Sequence, residues 1–265
     1  MEDRRFATTL ARGLSVLRAF RAGEDGLGNA EIAERTGLPK STVSRLTFTL
    51  QSLGYLTHAR RHDLYRPGPA LLVLGNLAAA SIGFVEMAGP LMQRLADETG
   101  TMSMLLVRDG GRMLIVRTWR PNGIASLWLE VGARPPLNGS SSGHALLGAL
   151  GADGFDAVVA DAGGERGLTP ERAAAVRRDA GDQLLTRGFV IADPAEYFAP
   201  NIHAVACPYH PRELGEPVVF TCGALPEMLP VDAMETRVGP ALRDAVRELE
   251  RMMGQAPAPV AARGV

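Results

Sequence analysis

Residues 27–53 read LGNAEIAERTGLPKSTVSRLTFTLQSL, and they set the architecture of the N-terminal part of the chain. Asn29 is a good helix N-cap, and Ile32 and Ala33 give the short helix that follows a buried face. Gly37 can adopt the positive φ of a sharp turn. Beyond the turn, apolar residues recur at helical spacing at Val43, Leu46, Leu50 and Leu53. This arrangement predicts a helix-turn-helix whose second helix enters the DNA major groove.

The polar face predicted for the second helix carries cations and hydroxyls but no carboxylate. Its members are Lys40, Ser41, Thr42, Ser44, Arg45 and Thr47. Cations and hydroxyls bind phosphates, and forked donors such as Arg read base edges. We therefore expect Lys40, Ser41, Thr42, Ser44 and Arg45 to contact DNA. The alternative is a solvated hairpin in an ordinary helical bundle, which does not require Ala, Gly, Val and Leu at these offsets.

Charge is distributed unevenly along the 265 residues, although the formal net charge is only −1. Residues 1–66 carry 11 Lys/Arg against 7 Asp/Glu, and the remainder carries 17 against 22. A basic front on an acidic body favours a nucleic-acid-binding module joined to a different domain. The two cysteines do not make a disulfide framework, and the charged N-terminus does not resemble a signal peptide. We therefore expect a cytoplasmic protein without a membrane span.

Two further patterns complete the N-terminal domain. Residues 6–22 predict a first helix that packs through a stripe formed by Leu10, Leu14, Leu17 and Phe20. After the second helix of the hairpin, two short β-prone runs flank a polar turn, which predicts a wing. Arg60 and Arg61 at its tip are expected on DNA phosphates, whereas the alternative is an ordinary charged surface turn.

The rest of the chain predicts an α+β domain. Helices are expected at residues 70–80, 84–99, 141–150, 169–186 and 232–253, the last of them kinked or interrupted at Pro240. Strands are expected at residues 102–108, 113–119, 127–131, 190–192, 204–209 and 218–222. The resulting division is a DNA-binding domain (1–66), an apolar linker helix (67–83), an α+β domain (84–254) and a disordered tail (255–265).

Five segments together resemble the IclR family of bacterial transcription regulators. They are TLARGLSVLRAF, AEIAERTGLPKSTVSRLTFTLQSLGYL, VGARPPLNGSSSGHALLGAL, RGFVIADPAEYFAPNIHAVACPYH and LGEPVVFTCGAL. The resemblance implies a winged helix-turn-helix, a dimerising linker helix and a GAF-like effector domain on an antiparallel sheet. It also implies homodimers that pair into tetramers on palindromic operator DNA, and a small carboxylate as effector. No cofactor is implied. The sequence does not distinguish a repressor from an activator.

The same resemblance implies the position of the effector site. The loop and helix that cross the ligand match Ser141, Ser142 and Gly143; an acidic stretch matches Asp193 and Glu196; late strands that line the site match Ala204, Cys222 and Ala224. The N-terminus of a helix is a natural seat for a carboxylate. Cys222 and Ala224 stand where the family commonly has serines, which favours an aromatic or longer acid of roughly 8–15 heavy atoms.

Three alternative functions are open to the same residues. Ser140, Ser141, Ser142 and His144 could belong to a hydrolase, but the serines are better explained as a loop and N-cap before a helix at residues 145–150. Cys207, His203 and His210 could bind a metal, but their spacings are not those of a zinc site. An effector-independent DNA-binding protein would not need the acidic second domain of about two hundred residues.

Overall fold

The computed structural model describes residues 5–21, 23–59, 63–123 and 129–256. The chain forms two compact units that divide between Ser81 and Ile82. The predicted linker helix is grouped with the first unit.

The first unit is a winged helix-turn-helix with one further helix. Its elements are α1 (Thr8–Leu17), α2 (Asn29–Thr36), α3 (Lys40–Ser52), β1 (Leu56–His58), β2 (Tyr65–Pro67) and α4 (Pro69–Ser81). Its core is small and apolar and consists mainly of Val16, Leu27, Ile32, Val43 and Leu56. The helix-turn-helix predicted from residues 27–53 is confirmed.

The turn between α2 and α3 depends on Gly37. Its φ of +69° lies in the left-handed region, and no atom would lie within 4 Å of an added Cβ. Backbone conformation, rather than space, therefore requires glycine here. The predicted N-cap was wrong by one residue, because Gly28 is the cap and its N–H donates to the Glu31 carboxylate at 3.1 Å.

α1 is shorter than predicted, and only part of the predicted stripe packs on the core, where Leu17 and Phe20 are partly buried. It ends at Leu17, and Gly13 and Val16 are its buried residues, whereas Leu10 and Leu14 of the predicted stripe are exposed. A Cβ on Gly13 would lie 3.9 Å from the side chain of Leu46 in α3. α1 therefore faces α3 at Gly13, a buried small residue that a search for large apolar side chains does not detect.

The wing is a two-stranded antiparallel hairpin in which His58 pairs with Tyr65. The two rings stack with centroids 5.2 Å apart. Tyr65 also exchanges two backbone hydrogen bonds of 2.9 Å with Leu27, which fixes the base of the wing to the segment before α2. Arg60 and Arg61, predicted at the tip, lie outside the described residues.

α4 has no buried residue within the chain. Its large side chains are exposed at Leu72, Val73, Leu74 and Leu77. Among the described helices, none alone has both the length and the apolar composition to cross a membrane; α4 passes that test only when it is combined with the next helix across a sharp bend.

The second unit is built on a four-stranded antiparallel sheet of order β4-β3-β6-β5. The strands are β3 (Met102–Asp109), β4 (Arg112–Trp119), β5 (His203–Tyr209) and β6 (Val218–Ala224). The helices are α5 (Gly83–Thr99), α6 (Ser141–Ala149), α7 (Ala152–Ala162), α8 (Pro170–Arg187), α9 (Val231–Ala233) and α10 (Gly239–Met252). The predicted α+β architecture is confirmed.

The two faces of this sheet carry separate cores. On one face, side chains of α5 and α10 pack with alternate residues of β5 and β6, such as Val205 and Phe220. On the other, side chains of α6, α7 and α8 pack with the intervening residues, such as Ala206 and Val219. Successive residues of a strand point to opposite faces, so each strand residue belongs to one core or the other.

Several predicted elements differ from the structure. α7 was missed, and residues 190–192 form only a single bridge, between Val190 and Ala206. Of the strand predicted at 127–131, residues 127–128 lie outside the described part, and residues 129–131 are not in a strand. The predicted tail lies outside the described residues from residue 257 onward.

The break expected at Pro240 is a π-helical turn, Met234–Val238, between α9 and α10. Proline has no N–H for the helical ladder, and wider π turns occur as single insertions in α-helices. The adjoining Gly239 allows close packing, since an added Cβ would lie 2.3 Å from the ring of Phe189.

Candidate functional site

The outward face of α3 presents the cations and hydroxyls predicted to meet DNA. Lys40, Ser41, Ser44 and Arg45 are exposed, and Thr42 is half-buried. Among the described residues, neither Lys40 nor Arg45 forms an ion pair, so both charges are available to phosphates and base edges. The structure therefore brings these five residues together at the beginning of one helix.

Thr47 does not belong to this face, contrary to the sequence interpretation. It is fully buried, and its hydroxyl lies 3.0 Å from both the Asn29 side-chain oxygen and the Val43 carbonyl oxygen. It faces inward because it follows Val43 by four residues, one turn later on the buried side. The hydroxyl thus joins α2 to α3 and stabilises their crossing.

The second candidate site is the N-terminus of α6. Ser140 caps the helix, since its hydroxyl accepts the Gly143 N–H at 3.0 Å and donates to the Pro136 carbonyl. Ser141 donates its hydroxyl to the Ala204 carbonyl at 2.7 Å and accepts the Ala192 N–H at 3.0 Å. These bonds hold the first turn of α6 against β5.

Gly143 is required by packing in the same turn. A Cβ there would lie 2.2 Å from the Leu137 carbonyl oxygen. Ser142 is buried, and among the described residues its backbone amide donates no hydrogen bond. The amide of Ser141 lies 3.4 Å from the Tyr197 hydroxyl. The start of α6 therefore offers one amide that has no acceptor in the described part of the chain and one covered by a phenol.

The carboxylates of the acidic residues predicted near the effector have protein partners of their own. Asp193 is exposed and its carboxylate accepts the Ala195 N–H at 2.9 Å, which caps a short 3-10 turn, Pro194–Glu196. Glu196 is exposed and forms an ion pair with Arg172 of α8. Both carboxylates therefore stabilise the segment that carries Tyr197, and the structure does not bring them to the α6 amides.

Strand alternation separates the remaining predicted residues. Ala204 pairs with Gly223, and an added Cβ on Gly223 would lie 3.7 Å from the Ala204 Cβ, so both face α6. Cys222 and Ala224 pack instead in the core beneath α5 and α10. The sequence interpretation expected Cys222 and Ala224 on the same face of the sheet as Ala204, and this expectation was wrong. All seven residues of β6 are buried, so no polar alternation identified its faces.

Thr221 is the polar residue that β6 contributes to the α6 side, and sequence analysis missed it. It pairs with Met104 and Ala206, both in the core on that side. Its side chain is 3% exposed, and its hydroxyl has no hydrogen-bond partner among the described residues. A buried hydroxyl left unpaired costs about 1–3 kcal/mol, so Thr221 is a candidate position for a contact with a bound molecule.

Three buried groups have chemistry fixed by their surroundings. Burial, with a smaller effect of the Arg172 charge, lowers the pKa of His144 to about 4, so its neutral ring accepts the Gly139 N–H through Nε2. Burial raises the pKa of Cys222 to about 11 and that of Cys207 to about 12, so both remain thiols. None of these groups is a nucleophile or a base.

The rival enzyme and metal interpretations find no support in this geometry. The His144 Nε2 atom is occupied by a backbone amide, while Ser140 and Ser141 donate to carbonyl oxygens. Within the described ranges, no three His, Cys, Asp or Glu residues cluster so as to hold a metal ion. His203 and His210 instead contact the carbonyl oxygens of Leu229 and Ala149.

A helix-turn-helix with a wing, followed by a separate sheet domain, defines a class: DNA-binding proteins that carry a second domain of another function. Comparison with known proteins identifies the family within this class. Residues 9–60 match the IclR helix-turn-helix domain, and residues 77–169 match the bacterial transcriptional regulator IclR C-terminal domain.

Similar proteins agree with both matches. A crystal structure of an IclR family transcriptional regulator from Brucella abortus is 34% identical, with 95% of this chain and 94% of that chain covered and a TM-score of 0.72. The HTH-type transcriptional regulator TsaQ1/TsaQ2 of Comamonas testosteroni is 29% identical over 95% of this chain and 90% of its own length. An IclR homologue from Microbacterium hydrocarbonoxydans, crystallised with 4-hydroxybenzoate, is 21% identical, with 92% of this chain and 98% of that chain covered and a TM-score of 0.71.

The chain belongs to the IclR family of DNA-binding transcription regulators, a family of regulators rather than of enzymes. The resemblance noted from the sequence is thereby confirmed.

Proposed function

We propose that this regulator binds a palindromic operator as a homodimer, or a pair of dimers, and that a small aromatic acid alters that binding. The observation that carries the effector part is the hydroxyl of Thr221, which has no partner within the described ranges and is buried on the side of the sheet that holds the N-terminus of α6. A protein that needed only DNA binding would gain stability by losing this hydroxyl.

The DNA part of the proposal assigns the operator contacts. Ser41, Thr42, Ser44 and Arg45, with Lys40 at the helix start, would enter the major groove, and Arg60 and Arg61 of the wing would contact phosphates. Support comes from the exposure of the α3 side chains and from the groove geometry of recognition helices, which contact bases through their N-terminal residues.

The effector part assigns the carboxylate to the backbone amides of Ser141 and Ser142 at the start of α6. Backbone amides and the helix dipole both favour an anion at this position. The ligand would replace the phenol of Tyr197 as partner of the Ser141 amide and would give the Thr221 hydroxyl an acceptor. Its apolar body would lie against Ala204 and neighbours such as Met104. Cys222, Ala224, Asp193 and Glu196 drop out of the direct contacts, because their side chains have other surroundings.

The proposed preference for an aromatic acid rests on the apolar neighbours of Thr221 and on the 4-hydroxybenzoate bound by the Microbacterium homologue. A ligand shifts an equilibrium only by its different affinities for two states. The acid must therefore favour one arrangement of the paired DNA-binding units over another, through the helices that connect the two units of each chain.

The proposal is tested with the full-length protein and an operator selected from random DNA. 4-Hydroxybenzoate is titrated into the complex in a gel-shift or anisotropy assay at fixed salt, and 4-hydroxybenzyl alcohol serves as the matched control without a carboxylate. We expect the acid, but not the alcohol, to change operator affinity by roughly tenfold, a coupling of about 1.4 kcal/mol. Equal effects of both compounds would contradict the carboxylate assignment. If neither 4-hydroxybenzoate nor a wider set of aromatic acids changes operator affinity, the proposed aromatic effector class is wrong.

A further inference from the structure

Phe48 is a large aromatic residue on the outward face of α3. Its side chain is 68% exposed, whereas the inward face of the helix is filled by Val43 and Thr47, both fully buried. A single exposed apolar side chain is ordinary on a protein surface, so the exposure of Phe48 alone does not indicate a function. Its position among the polar residues of the helix does.

Phe48 lies on the same stripe as the expected DNA contacts. Ser41, Ser44, Arg45 and Phe48 stand at helical positions i, i+3, i+4 and i+7, which share one face. All four are exposed. The stripe thus combines hydroxyls, one guanidinium and one apolar ring. Hydroxyls and cations bind phosphates and polar base edges, but an aromatic ring has no polar partner there.

The major groove offers one apolar group to such a ring, the 5-methyl of thymine. We infer that Phe48 contacts a thymine methyl and selects an A·T pair beside the base pair contacted by Arg45. The inference rests on the proposed placement of α3 in the major groove. Phe48 follows Arg45 by three residues, or about 4.5 Å along the helix axis, which is close to the roughly 3.4 Å between successive bases. The two side chains therefore meet neighbouring base pairs.

The experiment removes the methyl group from the DNA and the ring from the protein. An operator is selected from random DNA with the wild-type full-length protein, and each thymine is then replaced singly by deoxyuridine. Affinities are measured at fixed salt for the wild type, Phe48→Ala and Phe48→Leu. Leu53→Ala, which removes another exposed apolar side chain at the end of the same helix, is the matched control.

At one or two thymines per half-site, deoxyuridine should weaken wild-type binding by about fourfold, the effect of one buried methyl group. Phe48→Ala should weaken binding to the thymine operator at least as much and should abolish the sensitivity to deoxyuridine at those positions. Phe48→Leu should retain part of that sensitivity, and Leu53→Ala should retain all of it.

Wild-type binding that is insensitive to deoxyuridine at every position would overturn the inference. It would also be overturned if deoxyuridine weakened the binding of Phe48→Ala by the same factor as that of the wild type. If Phe48→Ala changes the sedimentation of the DNA-free protein instead, the ring is a contact between copies and the inference is also wrong. An Arg45→Ala variant distinguishes failure of the proposed function from failure of this inference. If Arg45→Ala and Phe48→Ala both bind the operator normally, the placement of α3 is wrong. If only Arg45→Ala loses affinity, only the role of Phe48 is wrong.

Discussion

The hydroxyl oxygen of Tyr197 lies 3.4 Å from the backbone nitrogen of Ser141, so a phenol covers the first amide of α6. Burial raises the pKa of Tyr197 to about 12, which keeps the group neutral at physiological pH. Its backbone neighbour is fixed as well, since the Phe198 N–H donates to the Gly139 carbonyl oxygen at 2.8 Å. A carboxylate that binds the start of α6 must therefore displace a neutral oxygen that is already in place.

Tyr197→Phe should tighten effector binding. The variant keeps the ring but removes the competing oxygen, and one hydrogen bond contributes about 1 kcal/mol, or roughly fivefold in affinity. Isothermal titration of the full-length variant with an acid that the wild type binds measures the change. Tyr55→Phe, in the DNA-binding unit, is the control and should bind like the wild type. Weaker binding by Tyr197→Phe would mean that the phenol contacts the bound acid and is not a competitor.

Thr221→Val should separate ligand binding from stability. Among the residues that the structure describes, Thr221 has a buried hydroxyl without a partner, so its replacement by an isosteric apolar side chain should leave the free energy of unfolding unchanged or raise it by about 1 kcal/mol. Effector affinity should fall by roughly fivefold or more, because the ligand loses a donor.

The matched control for this substitution is Thr99→Val. Thr99 is also buried, but its hydroxyl donates to the Leu95 carbonyl and lies 2.7 Å from the Thr101 hydroxyl. The control should therefore lose about 1–2 kcal/mol of stability and bind the effector normally. Chemical denaturation and titration of the same samples compare the two variants. A Thr221→Val protein that is strongly destabilised would show that the hydroxyl has a structural partner.

Arg45→Ala should weaken specific operator binding by about 1–3 kcal/mol. Arg45 is exposed at the second turn of α3, so the substitution removes a DNA contact without disturbing the core. Arg178→Ala, an exposed arginine of α8, controls for the loss of one positive charge. Anisotropy titrations at several salt concentrations distinguish a base contact from a phosphate contact. Equal affinities of the two variants would contradict the assignment of the recognition helix.

The sequence was sufficient for the elements whose pattern is local. The α2–α3 turn could be predicted because Gly37 has a distinctive backbone requirement, and the β3–β4 hairpin because Asp109, Gly110 and Gly111 form a clear turn. The residues between α6 and the next predicted helix leave room for α7, but their apolar pattern was too weak to predict it. Its buried residues, Phe155, Val158 and Ala162, lie among alanines and glycines, which weakens the helical pattern.

The candidate site was less predictable, because it depends on which face of a fully buried strand each residue occupies. Cys222 and Thr221 differ by one position, yet they lie on opposite sides of the sheet. The family resemblance located the strand, but a shift of one residue exchanges its faces. The partner of Ser141, Tyr197, comes from a segment 56 residues away, and such a tertiary contact has no local sequence pattern.

Lowering the pH should destabilise the effector unit through His144. The folded-state pKa of about 4 lies below the ordinary value of 6.5, so the unfolded chain binds more protons between these values. The stability contributed by the neutral ring is fully present above pH 6.5 and is lost as the pH falls toward 4, by at most about 1.4 kcal/mol per pH unit. Chemical denaturation between pH 4 and pH 7.5 measures this slope.

His144→Gln provides the comparison, since a carboxamide oxygen can still accept the Gly139 N–H but does not titrate in this range. The variant should show a shallower loss of stability than the wild type below pH 6.5, and the two curves should run parallel above it. Identical slopes for both proteins at low pH would rule out His144 as the group responsible.

Leu77→Glu should convert the assembled protein to monomers and weaken operator binding. α4 exposes Leu72, Val73, Leu74 and Leu77 within one chain, and a helix that is apolar around its whole circumference is normally buried against a partner. A second copy is the proposed partner, because a single winged helix buries little DNA and two copies on a two-fold axis match a palindrome.

A charge introduced at Leu77 would be desolvated at such an interface, which is costly when it is unpaired. Leu185→Glu, at an exposed leucine of α8, is the control for surface charge. Light scattering at micromolar concentration should give a dimer or tetramer for the wild type and the control, and a monomer for Leu77→Glu. The variant's half-site affinity should remain near normal, while its affinity for the full palindrome falls to the half-site value. A wild-type protein that is itself a monomer at this concentration would exclude α4 as the dimer surface.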